Sequence, residues 1–216
     1  MSLRRAARLI SFILLFCLFA EYSRKFLGED PESILVRTWT ITFHKLDAIF
    51  IYWIMLRMVS WIVVYLRMLR LESGFMVYLF LRRRSFPAVY VRMYVSCLCM
   101  TLLYYGLGTA VMAVYYGAAT PGTDIRWLLC PNRLPAVLAG ECLGCLIFCL
   151  SAYLIHRLCK KAEIGFLAAV TGRLLWGYAA GEVQPGLPFK LAANLLLTVV
   201  VFCLMAHNFG EKVGEG

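Results

Sequence analysis

The stretch Met93–Tyr116 contains no charged side chain and is long enough to cross a lipid bilayer as one helix. Such a helix needs about 17–25 predominantly apolar residues. The whole chain has the same character, because 62% of its 216 residues are apolar and 16% are charged. A soluble domain has about 45–50% apolar and about 25% charged residues. We therefore predict an all-α polytopic membrane protein, with residues 1–216 forming a single transmembrane domain.

Six apolar runs can be assigned as transmembrane helices. The first is interpreted as an uncleaved span, because no small-x-small cleavage site follows it. The predicted spans are 5–22, 48–66, 93–116, 134–155, 164–180 and 191–206. The segment 21–47 is interpreted as an outer loop that forms either a strand or an interfacial helix.

The positions of the basic residues predict the orientation of these spans. The chain carries 22 Lys and Arg against 12 Asp and Glu, a net charge of +10. With both ends on one side, that side holds thirteen of the basic residues and the other side seven. Because basic residues concentrate on the cytoplasmic side, we predict that both termini are cytoplasmic. We further expect the chain to lie in a plasma membrane, that is, the inner (cytoplasmic) membrane of a bacterium. The basic excess flanks apolar runs, so we expect no nucleic-acid partner.

The inner loop 67–92 carries the most specific pattern in the chain. Glu72, Ser73 and Gly74 follow the second span, and an apolar stretch from Phe75 to Leu81 comes next. A short apolar segment bounded by basic residues is typical of a helix lying at the membrane surface. It could be an inert loop anchored by phospholipid head groups or a docking helix for a cytoplasmic partner. The basic residues after it are Arg82, Arg83, Arg84 and Arg92.

This pattern resembles the membrane subunits of the type-2 ABC exporter family, which have six spans, cytoplasmic termini and a coupling helix between spans two and three. Glu72, Ser73 and Gly74 resemble that family's Glu-Ser-Gly element, and Arg92 resembles its basic residue at the start of span three. Phe75 stands where the family has Thr, and the basic and Pro residues lie further from Gly74 than is usual.

The resemblance implies a permease subunit that exports a small peptide, a drug or a lipid-like substrate. The segment Glu72–Phe75 with Arg82, Arg83, Arg84 and Arg92 would dock a nucleotide-binding ATPase subunit. A second membrane subunit, identical or related, would complete the pathway. This chain has no G-x-x-x-x-G-K-[ST] phosphate loop. ATP and Mg²⁺ would therefore be bound by the partner, and this chain would be neither an enzyme nor a cofactor carrier.

Three charged residues, Arg57, Glu141 and Arg173, lie inside predicted spans. Each costs about 2.5–3.5 kcal/mol on membrane-insertion scales, so each should face protein or water. At 1.5 Å per residue, Glu141 and Arg173 both lie roughly 10 Å below the outer boundary. This depth predicts an ion pair between them, which Arg57 could join. The cluster could be structural, fixing the helix register, or could contact substrate.

Cys142 and Cys145 form a C-x-x-C pattern inside the fourth span. One interpretation is a membrane-embedded thiol oxidoreductase. The other is packing, because a cysteine behaves as a small apolar side chain in a close helix contact. The sequence shows no metal-binding motif and no catalytic motif of a membrane protease or lipid transferase. A third function, a non-catalytic membrane assembly or immunity protein, also stays open.

Overall fold

A computed structural model describes residues 3–27, 35, 38–39, 48–72, 86–119, 134–180 and 186–214. These ranges form six long helices and no strand. The helices are α1 (Leu3–Leu27), α2 (Ala48–Arg70), α3 (Phe86–Ala119), α4 (Leu134–Cys159), α5 (Ala162–Ala180) and α6 (Leu187–Gly214).

Each predicted span lies within one of these helices, but the helices are longer than the apolar runs. The third differs most, because α3 begins at Phe86 rather than at residue 93. Pro87 lies in its first turn, where a missing backbone N–H costs little. Residues 86–92 of the predicted coupling segment therefore belong to a long helix.

Three of the described helices are long and apolar enough to cross a membrane. They cover Tyr90–Ala119, Leu134–Cys159 and Leu187–Ala206. Large apolar side chains are exposed on all six helices, for example Leu18, Val114 and Leu195. A large exposed apolar surface is typical of contact with lipid or with other proteins. These features fit a membrane protein.

The packing contacts define the relative directions of the helices. α1 runs parallel to α3, because Phe12 and Glu21 of α1 contact Tyr104 and Tyr115 of α3 respectively. α2 runs antiparallel to α3, since Tyr104 also donates a 2.6 Å hydrogen bond to the carbonyl of Leu56 while Arg67 bonds Ser96 at the other end. Neighbouring helices in the chain thus run in opposite directions here.

The second half of the bundle follows the same alternation. α4 runs parallel to α2, with Trp61 stacked on Phe148 at 4.2 Å between ring centroids. α5 returns antiparallel to α4 after a turn at Lys160, whose φ of 57° is the left-handed conformation that often ends a helix. α6 runs antiparallel to α3, because Tyr94 and Tyr90 of α3 bond Asn194 and Thr198 of α6.

α4 is the central helix, packing against α2, α3, α5 and α6. Its small residues allow close approach of its neighbours. One close approach is at Gly165 of α5, where an added Cβ would lie 2.5 Å from the carbonyl oxygen of Ala152. α5 and α6 both pack on α4 but hardly on each other. A gap therefore lies between α5 and α6.

Candidate functional site

A buried ion pair joins α2 and α4 in the middle of the bundle. Arg57 donates from Nε to a carboxylate oxygen of Glu141 at 2.8 Å, and its Nη2 lies 2.7 Å from the same oxygen. Arg57 is 3% exposed and Glu141 6% exposed. Buried charges of this kind need both a counter-charge and hydrogen bonds to offset their lost hydration, and the pair supplies both.

Trp39 provides the second partner of Arg57. The Nη2 of Arg57 donates a 2.6 Å hydrogen bond to the backbone carbonyl of Trp39. The indole Nε1 of Trp39 donates to the Thr109 hydroxyl at 3.1 Å, and its ring packs 5.0 Å from that of Tyr105. Trp39 is fully buried. Part of the predicted outer loop therefore enters the helix bundle at the level of the ion pair.

The described residues of that loop, Leu35, Thr38 and Trp39, are helical and buried. Backbone that enters a membrane protein without crossing it must be covered by protein, because its polar groups cannot face lipid. Here α1 and α3 cover it, through Phe16 and Tyr105. The alternation of apolar and polar residues in 34–44 had left a strand and an interfacial helix open, and neither places Trp39 inside the bundle.

Arg173 does not form the expected ion pair with Glu141. Within the part of the chain that the structure describes, the carboxylate of Glu141 is paired with Arg57. Arg173 lies within electrostatic range of both groups, on α5. Residue counting predicts the depth of a side chain along its helix, but depth does not define which side of α4 the side chain faces.

Lys190 is a second cation close to this centre. It lies in the first turn of α6, is 7% exposed and donates a 3.3 Å hydrogen bond from Nζ to the carbonyl of Gly140. Lys190 is one of the seven basic residues that the sequence predicts on the outer side, at the flank of the last span. The sequence contains no pattern that predicts the burial of its side chain.

A cavity of about 400 Å³ lies between α4, α5 and α6, with these two cations at one end. Arg173 and Lys190 line that end, and apolar or small side chains line most of the remainder. The apolar walls include Ile147, Phe148 and Ile155 of α4. A volume of this size is in the range of about 300–1,000 Å³ found for small-ligand sites. The arrangement can hold a ligand that is anionic at one end and apolar along its length.

A second ion pair joins α2 and α4 close to the C-terminal ends of both helices. Glu72, directly after α2, pairs with Arg157 near the end of α4. Arg157 also donates from Nε to the Tyr153 hydroxyl at 2.9 Å. Of the predicted docking residues, Glu72 and Arg92 are thus described, and Arg92 is exposed on α3. Ser73, Gly74, Phe75, Arg82, Arg83 and Arg84 lie outside the described residues.

The cysteines of α4 are packed inside the bundle. Cys142, Cys145 and Cys149 are buried. Cys145 contacts the Ser60 hydroxyl at 3.9 Å, and Cys149 contacts the carbonyl of Trp61 at 3.7 Å. Reactive thiols lie in partly exposed, electropositive surroundings, which these surroundings do not resemble. The arrangement favours packing over thiol chemistry.

Comparison with known proteins identified no relative of this chain. No protein-family model matches the sequence, and no curated protein or solved structure shows significant similarity to it.

Proposed function

We propose that the chain crosses the membrane six times with both termini in the cytoplasm. The alternating directions of α1 to α6 support this topology, because each helix then returns the chain to the opposite face. Exposed apolar side chains on all six helices support contact with the lipid bilayer. The excess of basic residues around the termini and the inner loop 67–92 supports the orientation.

Within that topology, the function that the arrangement supports best is that of a permease subunit in an ATP-driven exporter. The supporting observation is the contact between Glu72 and Arg157. Glu72 begins the segment that resembles the coupling helix of type-2 ABC exporters. Its carboxylate is attached through Arg157 to α4, the helix that carries Glu141 and one wall of the cavity. Force on the inner segment would therefore reach the centre of the bundle.

The mechanism follows from the two ion pairs. α2 and α4 are joined at Arg57–Glu141 and again at Glu72–Arg157, so they move as one body. A partner ATPase that binds ATP and Mg²⁺ and pushes on residues 73–85 would displace this body against α5 and α6. α5 and α6 pack little against each other, so the gap between them offers little resistance to that movement. A second membrane subunit would form the other wall of the pathway.

The test is to purify the tagged full chain from its native host in mild detergent and to identify its stoichiometric companions by mass spectrometry. We expect an ATPase with a G-x-x-x-x-G-K-[ST] loop. The double variant Gly74→Asp with Phe75→Asp should lose this companion while the membrane chain still accumulates. The matched control is Lys161→Glu, which changes the charge of the other inner turn and should retain it.

A chain that purifies alone in several detergents would contradict the exporter function. A chain that retains an ATPase but gives no transport after reconstitution would instead be the non-catalytic assembly or immunity protein.

A further inference from the structure

Within the part of the chain that the structure describes, cations outnumber carboxylates around the cavity between α4, α5 and α6. Arg57, Arg173 and Lys190 converge on a single carboxylate, that of Glu141. Glu141 is already paired with Arg57. Among the described residues, neither Arg173 nor Lys190 has a carboxylate within ion-pair distance. Two cations are thus left facing a largely apolar cavity, and such charges are stabilised by an anionic partner.

The backbone adds to this positive potential. Lys190 lies in the first turn of α6, where unpaired N–H groups and the helix dipole carry a partial positive charge. Lysine and arginine together form good partners for a phosphate group, since arginine offers paired donors and lysine a compact charge. The charged end of the cavity therefore favours an anion over a neutral polar group.

The shape of the cavity excludes a small soluble anion as its full occupant. On α4 the lining residues run from Gly144 to Ile155, about 16 Å along the helix. Phe148 and Ala169 form apolar walls along this length. A free phosphate would occupy the charged end and leave the apolar length unfilled. An extended acyl chain fits that length and buries apolar surface along it.

The cavity is open between α5 and α6. These two helices hardly touch each other, and the side chain of Phe189, which lines the cavity, is 59% exposed. Gly144 and Gly172 also line the cavity, and an added Cβ on either would meet no atom within 4 Å. In the proposed six-span topology we expect this opening to face the bilayer, so that a lipid enters it sideways.

We propose that this cavity binds an anionic phospholipid, with its phosphate at Arg173 and Lys190 and one acyl chain along α4 from Gly144 towards Ile155. The site depends on the helix arrangement and not on the exporter function. A negative result in the lipid experiment would therefore not contradict the proposed partner ATPase, and the absence of an ATPase would not contradict the lipid site.

The test uses the purified full chain, with any companions it retains, in vesicles of phosphatidylcholine. The probes are phosphatidylglycerol and phosphatidylcholine carrying the same photoactivatable group near the end of one acyl chain, and the cross-linked peptides are identified by mass spectrometry. We expect phosphatidylglycerol to label residues 144–155 or 168–173 roughly tenfold more than phosphatidylcholine. Both lipids carry a phosphate, but the choline cation of phosphatidylcholine is repelled by Arg173 and Lys190, whereas the glycerol of phosphatidylglycerol is neutral. The double variant Arg173→Gln with Lys190→Gln should remove this difference.

A cavity-filling variant provides a readout that leaves both cations in place. Gly172→Leu should block labelling by both probes, because its side chain extends into the cavity. Gly106→Leu is the matched control, since Gly106 on α3 also has no atom within 4 Å of an added Cβ but lies away from the cavity. We expect both probes to label the Gly106→Leu variant as they label the wild type.

Three results would overturn the proposal. They are equal labelling of the wild type by the two probes, unchanged labelling of Gly172→Leu, and displacement of the probe by free palmitate but not by unlabelled phosphatidylglycerol. The last result would assign the site to a fatty acid instead.

Discussion

Arg57 and Glu141 form an ion pair with Nη2 and the carboxylate oxygen 2.7 Å apart, on two helices that run in the same direction. A second pair, Glu72 with Arg157, joins the other ends of the same helices with the charges exchanged. The separation in sequence is 84 residues for the first pair and nearly the same for the second. α2 and α4 are therefore held in one register from the Arg57–Glu141 pair to the Glu72–Arg157 pair.

Removing one member of the central pair should destabilise the protein strongly. In Glu141→Gln the buried guanidinium of Arg57 loses its counter-charge, which costs about 3–5 kcal/mol in comparable buried pairs. Thermal unfolding in detergent measures the change. The double variant Arg57→Leu with Glu141→Leu should recover most of the stability, because replacing both charges by apolar groups is often neutral.

Glu163→Gln is the control for this experiment. Glu163 is exposed in the first turn of α5, where a carboxylate contributes less than about 1 kcal/mol. An equal loss in Glu163→Gln and Glu141→Gln would show that the buried pair is not the source of the effect.

Reversing the charges of Glu72 and Arg157 tests the connection between the inner segment and α4. Each single reversal, Glu72→Arg or Arg157→Glu, places two like charges in contact and should lower the ATPase activity that the assembled complex shows. The double reversal should restore it, because the pair re-forms with exchanged signs. Both side chains are partly exposed, so we expect a stability change of only about 1 kcal/mol.

The measurement is the ATPase rate of the purified complex at equal subunit content. If both single reversals keep the wild-type rate, the Glu72–Arg157 contact does not carry force between the subunits.

Gly165 should not tolerate even a methyl group. In Gly165→Ala the new Cβ would lie 2.5 Å from the Ala152 carbonyl oxygen and 2.7 Å from the His156 nitrogen. Both are backbone atoms, so α4 and α5 must separate, and overpacking of this kind costs about 1–3 kcal/mol. Gly106→Ala should instead lose nothing, because the same Cβ meets open space there and alanine favours a helix by up to about 1 kcal/mol. Similar unfolding midpoints for the two variants would contradict the close packing of α4 and α5.

Thiol labelling distinguishes packing from redox chemistry in α4. We expect Cys142, Cys145 and Cys149 to resist a water-soluble maleimide in the folded protein, because all three are buried. Cys159 is exposed at the end of α4 and should react at once. Mass spectrometry of the labelled peptides, with and without denaturant, measures the extent of labelling at each of these cysteines. Rapid labelling of Cys142 and Cys145 that a reductant enhances would instead support the hypothesis of a membrane-embedded thiol oxidoreductase.

The apolar runs and the buried charges could be predicted from the sequence, because apolar side chains are costly to expose to water and charged side chains are costly to expose to lipid. An apolar run such as Met93–Tyr116 has no comparable place in water, and Arg57 and Glu141 cannot face hydrocarbon. The partner of Glu141 could not be predicted in this way. Residue counting measures depth, whereas the choice between Arg57 and Arg173 depends on which face of α4 contacts which helix.

The inward position of Trp39 was also beyond the sequence pattern. Its segment is short and alternates apolar and polar residues, a pattern that does not distinguish a surface element from one enclosed by α1 and α3. What places Trp39 inside is a set of tertiary contacts, with Tyr105, Thr109 and Arg57. The burial of Lys190 could not be predicted either, because a lysine just before an apolar run is equally consistent with a solvent-exposed flank.

The bond between Trp39 and Arg57 also bears on the order in which this protein is made. In the six-span topology that we propose, α2 enters the membrane during synthesis and brings Arg57 with it, while Glu141 lies 84 residues further along the chain and has not yet been translated. Trp39 comes 18 residues before Arg57, so its carbonyl is already available to accept the guanidinium. The tryptophan thus gives the arginine a hydrogen-bonding partner before its permanent counter-charge arrives.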